Sequence, residues 1–240
     1  MKNISKTFIL LILATTLSSC LFNNIKGISG NRNVIEQQRE VKGNYSSIAI
    51  SNGLNVYITQ GKESNIRIEA DENLHNVIKT EIQNKVLKIY AEKNIKSAKS
   101  KDIYISTPSI KSITSSSGSY VITENTLTTN TFTIQTSSGS YVKLRVKTNI
   151  LSSSSSSGSN LNIIGETDQY TGNASSGSTT NAYDLTSKVA IIKTSSGASI
   201  QVFTTNEINA KASSGSSVSY KGNPKRVFKK SSSGGNIHAY

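Results

Sequence analysis

The sequence predicts an all-β fold, a single-stranded parallel β-helix with coils of about 19–20 residues, and three observations carry that reading. The triplet Ser-Ser-Gly recurs with its glycine at Gly118, Gly139, Gly158, Gly177, Gly197, Gly215 and Gly234. Successive spacings are 21, 19, 19, 20, 18 and 19 residues. A composition-biased linker has no reason to keep such a period, whereas a solenoid must return its chain to the same place one layer up. Aligned on those glycines, the residues three after are Val121, Val142, Leu161, Thr180, Ile200, Val218 and Ile237, and those one after are small. Those two after are mostly polar, among them Tyr120, Tyr141 and Asn160. This alternation is that of strands, and β-branched residues dominate the inward positions. Seven coils at a strand spacing of about 4.8 Å make a stack roughly 34 Å long.

Each part of the triplet then takes a role. The serine just before each glycine (Ser117, Ser138, Ser157, Ser176, Ser196, Ser214, Ser233) is expected to point inward at a tight corner, its hydroxyl bonded to the layer beside it. The glycine permits a bend with positive φ. Two strands meet at this corner, with six or seven residues left for a return loop. The run "SSSSSSGS" at 152–159 is a corner of the third coil and no linker. Its first serines replace residues such as Ile134 of the neighbouring copy, so it reads as the least well filled layer, with faster amide exchange than the layer holding Ile191 and Ile192.

Residues 34–110 form an irregular part of the same domain, and 111–240 its regular coils. "SIAISNGLNVYI" fits the repeat with Gly53 at the glycine position and Val56 three later. "NIRIEA" and "KVLKIYAEK" alternate as strands, and "DENLHNVIKTEI" holds one short helix with Asp71 as a candidate N-cap. This part is expected to cap the stack, because an open end exposes unpaired strand edges. No comparable cap follows "GGNIHAY", which leaves a C-terminal edge open to self-association.

The first twenty residues have a basic start (Lys2, Lys6), an apolar run and a small-residue ending before Cys20, the single cysteine. That is the layout of a secretory signal over residues 1–19. The ending Leu17, Ser18, Ser19, Cys20 resembles the bacterial lipobox, which makes Cys20 a lipidated N-terminus and residues 20–33 its polar tether. The membrane is thus a partner through Cys20. The formal net charge is +13, and removal of Lys2 and Lys6 leaves +11. Its basic residues are scattered apart from Lys225, Arg226, Lys229 and Lys230, and no basic helix or nucleic-acid motif accompanies them, so nucleic acid is not an expected partner.

The stretches "GLNVYITQG", "IEADENL" and "LKIY", together with the triplet array, resemble the head GIN domain family over about residues 34–240. Gly53-Leu54-Asn55 stands where that family takes its name from Gly-Ile-Asn. The resemblance implies a β-helix-like fold and an adhesin-type role on Bacteroidetes-type cells, as an outer-membrane lipoprotein facing either the cell surface or the periplasm. After Cys20 the first acidic residue is Glu36, and surface-exported lipoproteins of such bacteria often carry acids just after the cysteine. This weighs toward the periplasmic side.

No catalytic, metal-binding or cofactor-binding set is expected. His75 and His238 lack metal-ligand spacing and read as surface residues, no serine lies in a G-x-S-x-G elbow, and Asp71 with Glu72 makes no paired-carboxylate site. The outward positions two and four after glycine hold Tyr120, Tyr141, Lys143, Asn160, Asn162, Asn181 and Gln201, a flat polar array suited to glycan or to another envelope protein. The alternatives are a structural spacer without a small ligand and a polysaccharide-acting β-helix enzyme.

Overall fold

Each Ser-Ser-Gly triplet builds one tight turn. In the first, Ser117 and Gly118 have φ of 54° and 70°, and Ser119 N–H donates to Ser116 O at 3.2 Å. Two successive positive-φ residues closed by such a bond are the signature of a type I′ turn. The turns stack: Gly118 N–H donates to Ser138 O at 2.9 Å, Gly139 N–H to Ser157 O at 3.0 Å, and so on to Gly215 N–H and Ser233 O. Asn52 and Gly53, with φ of 64° and 69°, form an eighth rung ahead of the seven triplets. The computed structural model describes residues 27–240; the expected signal sequence over residues 1–19 and Cys20 lie outside the described residues.

This turn corrects one sequence expectation. The serine before each glycine is exposed, because its left-handed backbone takes it out of the strand alternation. The inward hydroxyl belongs instead to the residue after the glycine. Ser140, Ser159 and Ser178 are buried, and their Oγ atoms donate to the carbonyls of Ser115, Thr136 and Ser155 one layer away, at 2.9–3.1 Å. A buried hydroxyl so satisfied contributes about 1 kcal/mol net.

The N-terminal part comprises β1 (Ile28–Ser29), β2 (Val34–Arg39), β3 (Ser47–Ile50), β4 (Asn55–Gln60), β5 (Asn65–Asp71), β6 (Ile78–Gln83), β7 (Val86–Ala91), β8 (Ile95–Ser97) and β9 (Lys101–Thr107). The coils follow with β10 (Ser112–Ser115), β11 (Tyr120–Thr123), β12 (Leu127–Thr128), β13 (Thr131–Thr136), β14 (Tyr141–Ser155), β15 (Asn160–Ala174), β16 (Thr179–Thr194) and β17 (Ser199–Ala212). They finish with β18 (Ser217–Lys221), β19 (Arg226–Ser231) and β20 (Asn236–Ala239). The result is a β-solenoid of about seven turns with coils of about 19 residues. All pairings between coils are parallel, with Val142 opposite Leu161 and Ser155 opposite Ala174, and the register shifts only within the β15–β16 and β16–β17 ladders.

No return loop exists in the middle coils. β14 to β17 are each 14–16 residues long and run from one turn to the next. Their far bend carries a second buried hydroxyl column, Thr148, Thr167, Ser187 and Thr204, each bonded to backbone carbonyls. A hydroxyl is small enough for an inside corner and satisfies itself locally, so the chain bends without leaving the ladder.

The layer at 152–157 is also not the hole that its composition implies. Ser153 and Gly172 stand in register where other coils place Ile134 and Ile192. Tyr170, fully buried, fills that volume, and its hydroxyl bonds Ser153 Oγ at 2.8 Å. A Cβ on Gly172 would lie 2.8 Å from the same phenol oxygen. The small residues are therefore the seat of a large one, as jigsaw packing requires. Burial pushes the Tyr170 phenol pKa far up, despite the opposing bond to Ser153.

The cap closes the stack by reversing strand direction. β7 and β9 continue the parallel ladder beneath β3 and β4, whereas β6 pairs antiparallel with β7, β5 with β9, and β2 with β5. Helix in this part is a single 3-10 turn (Glu72–Leu74). Asp71 precedes it but does not cap it with its side chain. Its buried carboxylate instead accepts the backbone N–H groups of Arg32, Lys99 and Ser100 at 3.0–3.2 Å. Burial alone would raise its pKa, but the bonds from Ser100, Lys99 and Arg32 outweigh it and hold the carboxyl below its ordinary value. His75 is buried and not on the surface: its ring nitrogens lie 3.1 Å from Gln37 Oε1 and from Ile35 O, which fastens β2. Residues 27–33 do not hang free either, since β1 pairs with β8 and Asn31 N–H donates to Asn73 Oδ1. At the other end, every residue of β19 is exposed, Phe228 among them, and the outer edges of β19 and β20 are unpaired among the described residues.

Candidate functional site

Because parallel strands in register put equivalent residues one above another, the outward positions become columns. Tyr120, Tyr141, Asn160 and Thr179 form one column, and Ile122, Lys143, Asn162, Asn181 and Gln201 the next. All seven residues singled out from sequence therefore lie on one outer face, formed by β11 and the starts of β14 to β17.

The face extends beyond them into the cap. Tyr57 is in register with both Ile122 and Tyr104, and Tyr104 with Arg67. The Tyr57 and Tyr104 rings stack at 5.0 Å and 17°, and the Arg67 guanidinium lies 3.9 Å from the Tyr104 centroid. Arg67 is itself paired with Glu36 at 2.9 Å. Burial first, then nearby carboxylates, raises the pKa of both phenols, and Arg67 partly offsets this for Tyr104; both therefore remain hydroxyl donors at neutral pH. Tyr57 stands four after Gly53, at the offset of Ile122 and Lys143, and that alignment could have found it; Tyr104 and Arg67 lie on strands with no such glycine to align.

Tyr120 and Tyr141 also stack, at 5.1 Å and 11°. Stacked rings cover each other's faces and turn edges and hydroxyls outward. Asn162 Nδ2 donates to Tyr141 OH at 3.1 Å, which joins the two columns. Farther along, the β15–β16 register shifts between Asn162 and Ile164, and Tyr183 and Asp184 are accommodated there. A shallow hollow of about 270 Å³ opens at this shift, lined by Tyr141, Lys143, Asn162, Asn181 and Asp184. Asp184 and Tyr183 fall outside the glycine-based alignment, since the shift displaces them. Tyr183 OH bonds Ser219 Oγ at 2.6 Å, and Lys221 Nζ sits 4.3 Å from the Tyr183 and Tyr240 ring centroids.

The arrangement offers amides, phenol hydroxyls, the Lys143 and Lys221 ammonium groups and the Asp184 carboxylate, which is chemistry for hydrogen bonding. Of the two histidines, His75 is locked in the cap and His238 is exposed on the last coil. Among the described residues no three His, Cys, Asp or Glu side chains gather into a metal-binding group.

Comparison with known proteins fits this architecture. A solved structure from Bacteroides fragilis, described as a "putative adhesin", superposes with a TM-score of 0.82 at 20% identity over 89% of this chain and 100% of that one. A "putative lipid binding protein" from Parabacteroides distasonis gives 0.70 at 20% identity, covering 88% and 99% of the two chains. A "putative adhesin" from Parabacteroides merdae gives 0.67 at 16% identity, covering 90% and 99%. No curated protein matches the chain. Residues 44–224 match the family described as "putative auto-transporter adhesin, head GIN domain", and with three quarters of its length so matched, the chain belongs to the head GIN domain family.

Proposed function

We propose that the protein is a non-catalytic binding module of the cell envelope, an adhesin-type lipoprotein held to the outer membrane through lipidated Cys20. Its ligand face is the lattice of Tyr120, Tyr141, Lys143, Asn160, Asn162, Asn181 and Gln201, prolonged by Tyr57 and Tyr104. The observation that carries the reading is the in-register stacking of amides and phenols across consecutive coils. Ring edges and amides present hydrogen-bond donors and acceptors at a repeat of about 4.8 Å, which suits the hydroxyls of a glycan better than an apolar ligand.

Screening of the soluble domain on a glycan array tests this. Binding is expected, with Tyr120→Ala and Tyr141→Ala each weakening it about tenfold, as for residues central to an interface. Binding that survives both substitutions would place the ligand elsewhere, and a blank array would favour the spacer. Release of reducing ends from envelope polysaccharide would mark an enzyme instead. For the anchor, Cys20→Ser is expected to move the protein from the membrane to the soluble fraction, and protease shaving of intact cells separates surface from periplasmic display.

Self-association through the last coil is opposed by Arg226, Lys229 and Lys230 on its edge, charges of the kind that guard edge strands. A monomer at low salt, with association rising as salt screens these charges, is the expected sedimentation behaviour.

A further inference from the structure

A second face, beside the stacked turns, carries charge in a different pattern. The residues four before the glycines of the last three triplets are Lys193, Lys211 and Lys230, and they are direct register partners on consecutive strands. All three are exposed, and none forms an ion pair among the described residues. The basic cluster of the sequence is divided in the fold: Lys230 joins this column, while Lys229 lies 4.8 Å from the Tyr220 ring centroid.

Like charges set directly opposite on neighbouring strands are destabilising. The face formed by the far bend shows the opposite arrangement. There Lys147 pairs with Glu166, Lys188 with Asp168 at 2.7 Å, and Arg226 with Glu207 at 2.6 Å. One face thus alternates sign from coil to coil, and the other repeats a single sign with no acid to offset it. The lysine column lies along a shallow groove of about 430 Å³, where Asn173 continues the column, Ser175, Ser195 and Ser213 run alongside, and Ala174 and Ala212 also line the surface.

We propose that this groove binds a linear acidic polysaccharide, its carboxylates set against Lys193, Lys211 and Lys230 and its hydroxyls against the serine row. Three features select this occupant. The cations recur once per coil, at about 4.8 Å, so a ligand that satisfies one rung satisfies the next only if it too repeats. The groove runs along the stack, past Asn173, Lys193, Lys211 and Lys230 on successive coils, so its long axis suits an extended chain. A hydroxyl row beside each ammonium matches a ligand carrying both hydroxyls and charge. This site is separate from the tyrosine and asparagine face and does not depend on it.

The test uses polygalacturonate as the acidic polymer and dextran as its neutral counterpart, with the soluble domain on a biosensor. The wild-type protein is expected to bind polygalacturonate in a salt-sensitive manner and to ignore dextran at this groove. The triple variant Lys193→Gln, Lys211→Gln, Lys230→Gln should lose about tenfold or more in affinity. A charge-matched control, Lys147→Gln, Lys188→Gln, Arg226→Gln, removes the same three charges from the far face and should bind as the wild type does. Equal losses in the two triples would reduce the effect to net charge and overturn the proposal. Failure of the wild type to bind the polymer at low salt would do the same. Preference for phosphatidylglycerol vesicles or for polyphosphate over polygalacturonate would assign the lysines to a phosphate-bearing partner and overturn it as well.

Discussion

The coils and the N-terminal cap bury polar groups by opposite means. In the coils the buried groups are neutral hydroxyls repeated in every layer, and away from the junction with the cap they bond to their own or the neighbouring layer. The cap adds to the Thr107 hydroxyl a carboxylate and an imidazole, each present once, which join segments 28 to 40 positions apart in sequence. A periodic device spreads its contribution along the stack, so one defect is local. A single device concentrates it, and its loss opens everything that it joins.

The largest effect is therefore expected at Asp71. Asp71→Ala leaves the N–H groups of Arg32, Lys99 and Ser100 without their charged acceptor, a bond to a charged group being worth about 1.5–3 kcal/mol. Amide exchange should show protection collapsing in β2, β5 and β9 while β15 to β17 keep theirs. Uniform loss along the whole chain would show that cap and coils are one cooperative unit. Acid probes the same contrast. Because the folded carboxyl has a lowered pKa, its contribution is complete above the unfolded value of about 3.9 and disappears as pH falls through the folded value. The cap should then loosen below about pH 4 ahead of the coils.

Within the coils the greatest sensitivity belongs to Tyr170, because one side chain fills the space of three positions. Tyr170→Ala should cost about 3–5 kcal/mol, as for other buried aromatic truncations. Tyr170→Phe keeps the volume, strands the Ser153 hydroxyl and should cost about 1–2 kcal/mol. Chemical denaturation of the two variants measures the difference. With Tyr170 present, the amides of residues 152–154 should exchange as slowly as those of 191–193, contrary to what their composition alone implies.

A smaller effect separates hydroxyls in the stack from those at its junction with the cap. Ser178 Oγ donates to Ser155 O at 2.9 Å, so Ser178→Ala should cost about 1 kcal/mol. Ser119 Oγ, which follows Leu54 in the same column, is buried without a partner, so Ser119→Ala should be neutral or slightly stabilising. Equal costs would mean that the hydroxyl at the junction is satisfied after all.

What was legible in the sequence follows the same division. The coils were readable because a fold that repeats every nineteen residues or so prints its columns into the chain, and the tyrosine and asparagine face with them. Three things were not. The inward hydroxyl was placed two residues early, because the turn interrupts an alternation that holds on both sides of it. The Tyr170 packing stayed hidden because a serine and a glycine look like absent volume until the neighbour that occupies it is known. His75 and Asp71 act through contacts between distant segments, which no local pattern records.

The smallest expected effect concerns the turn itself. Its first central residue adopts φ near +50°, a region that costs most L-residues about 1–2 kcal/mol and that asparagine tolerates better than serine. The rung nearest the cap uses Asn52 there, with Gly53 after it, while the seven triplets use serine. Ser157→Asn should therefore stabilise its coil by about 0.5 kcal/mol, and Asn52→Ser should destabilise its own by a similar amount. Ser156→Asn is the control, since residue 156 precedes the left-handed pair and is half-buried. If thermal denaturation gave the same shift for residues 156 and 157, the gain would come from the asparagine side chain in general. A gain confined to residue 157 would show that each triplet carries a small backbone strain, which the stacked Gly N–H to Ser carbonyl bonds hold in place.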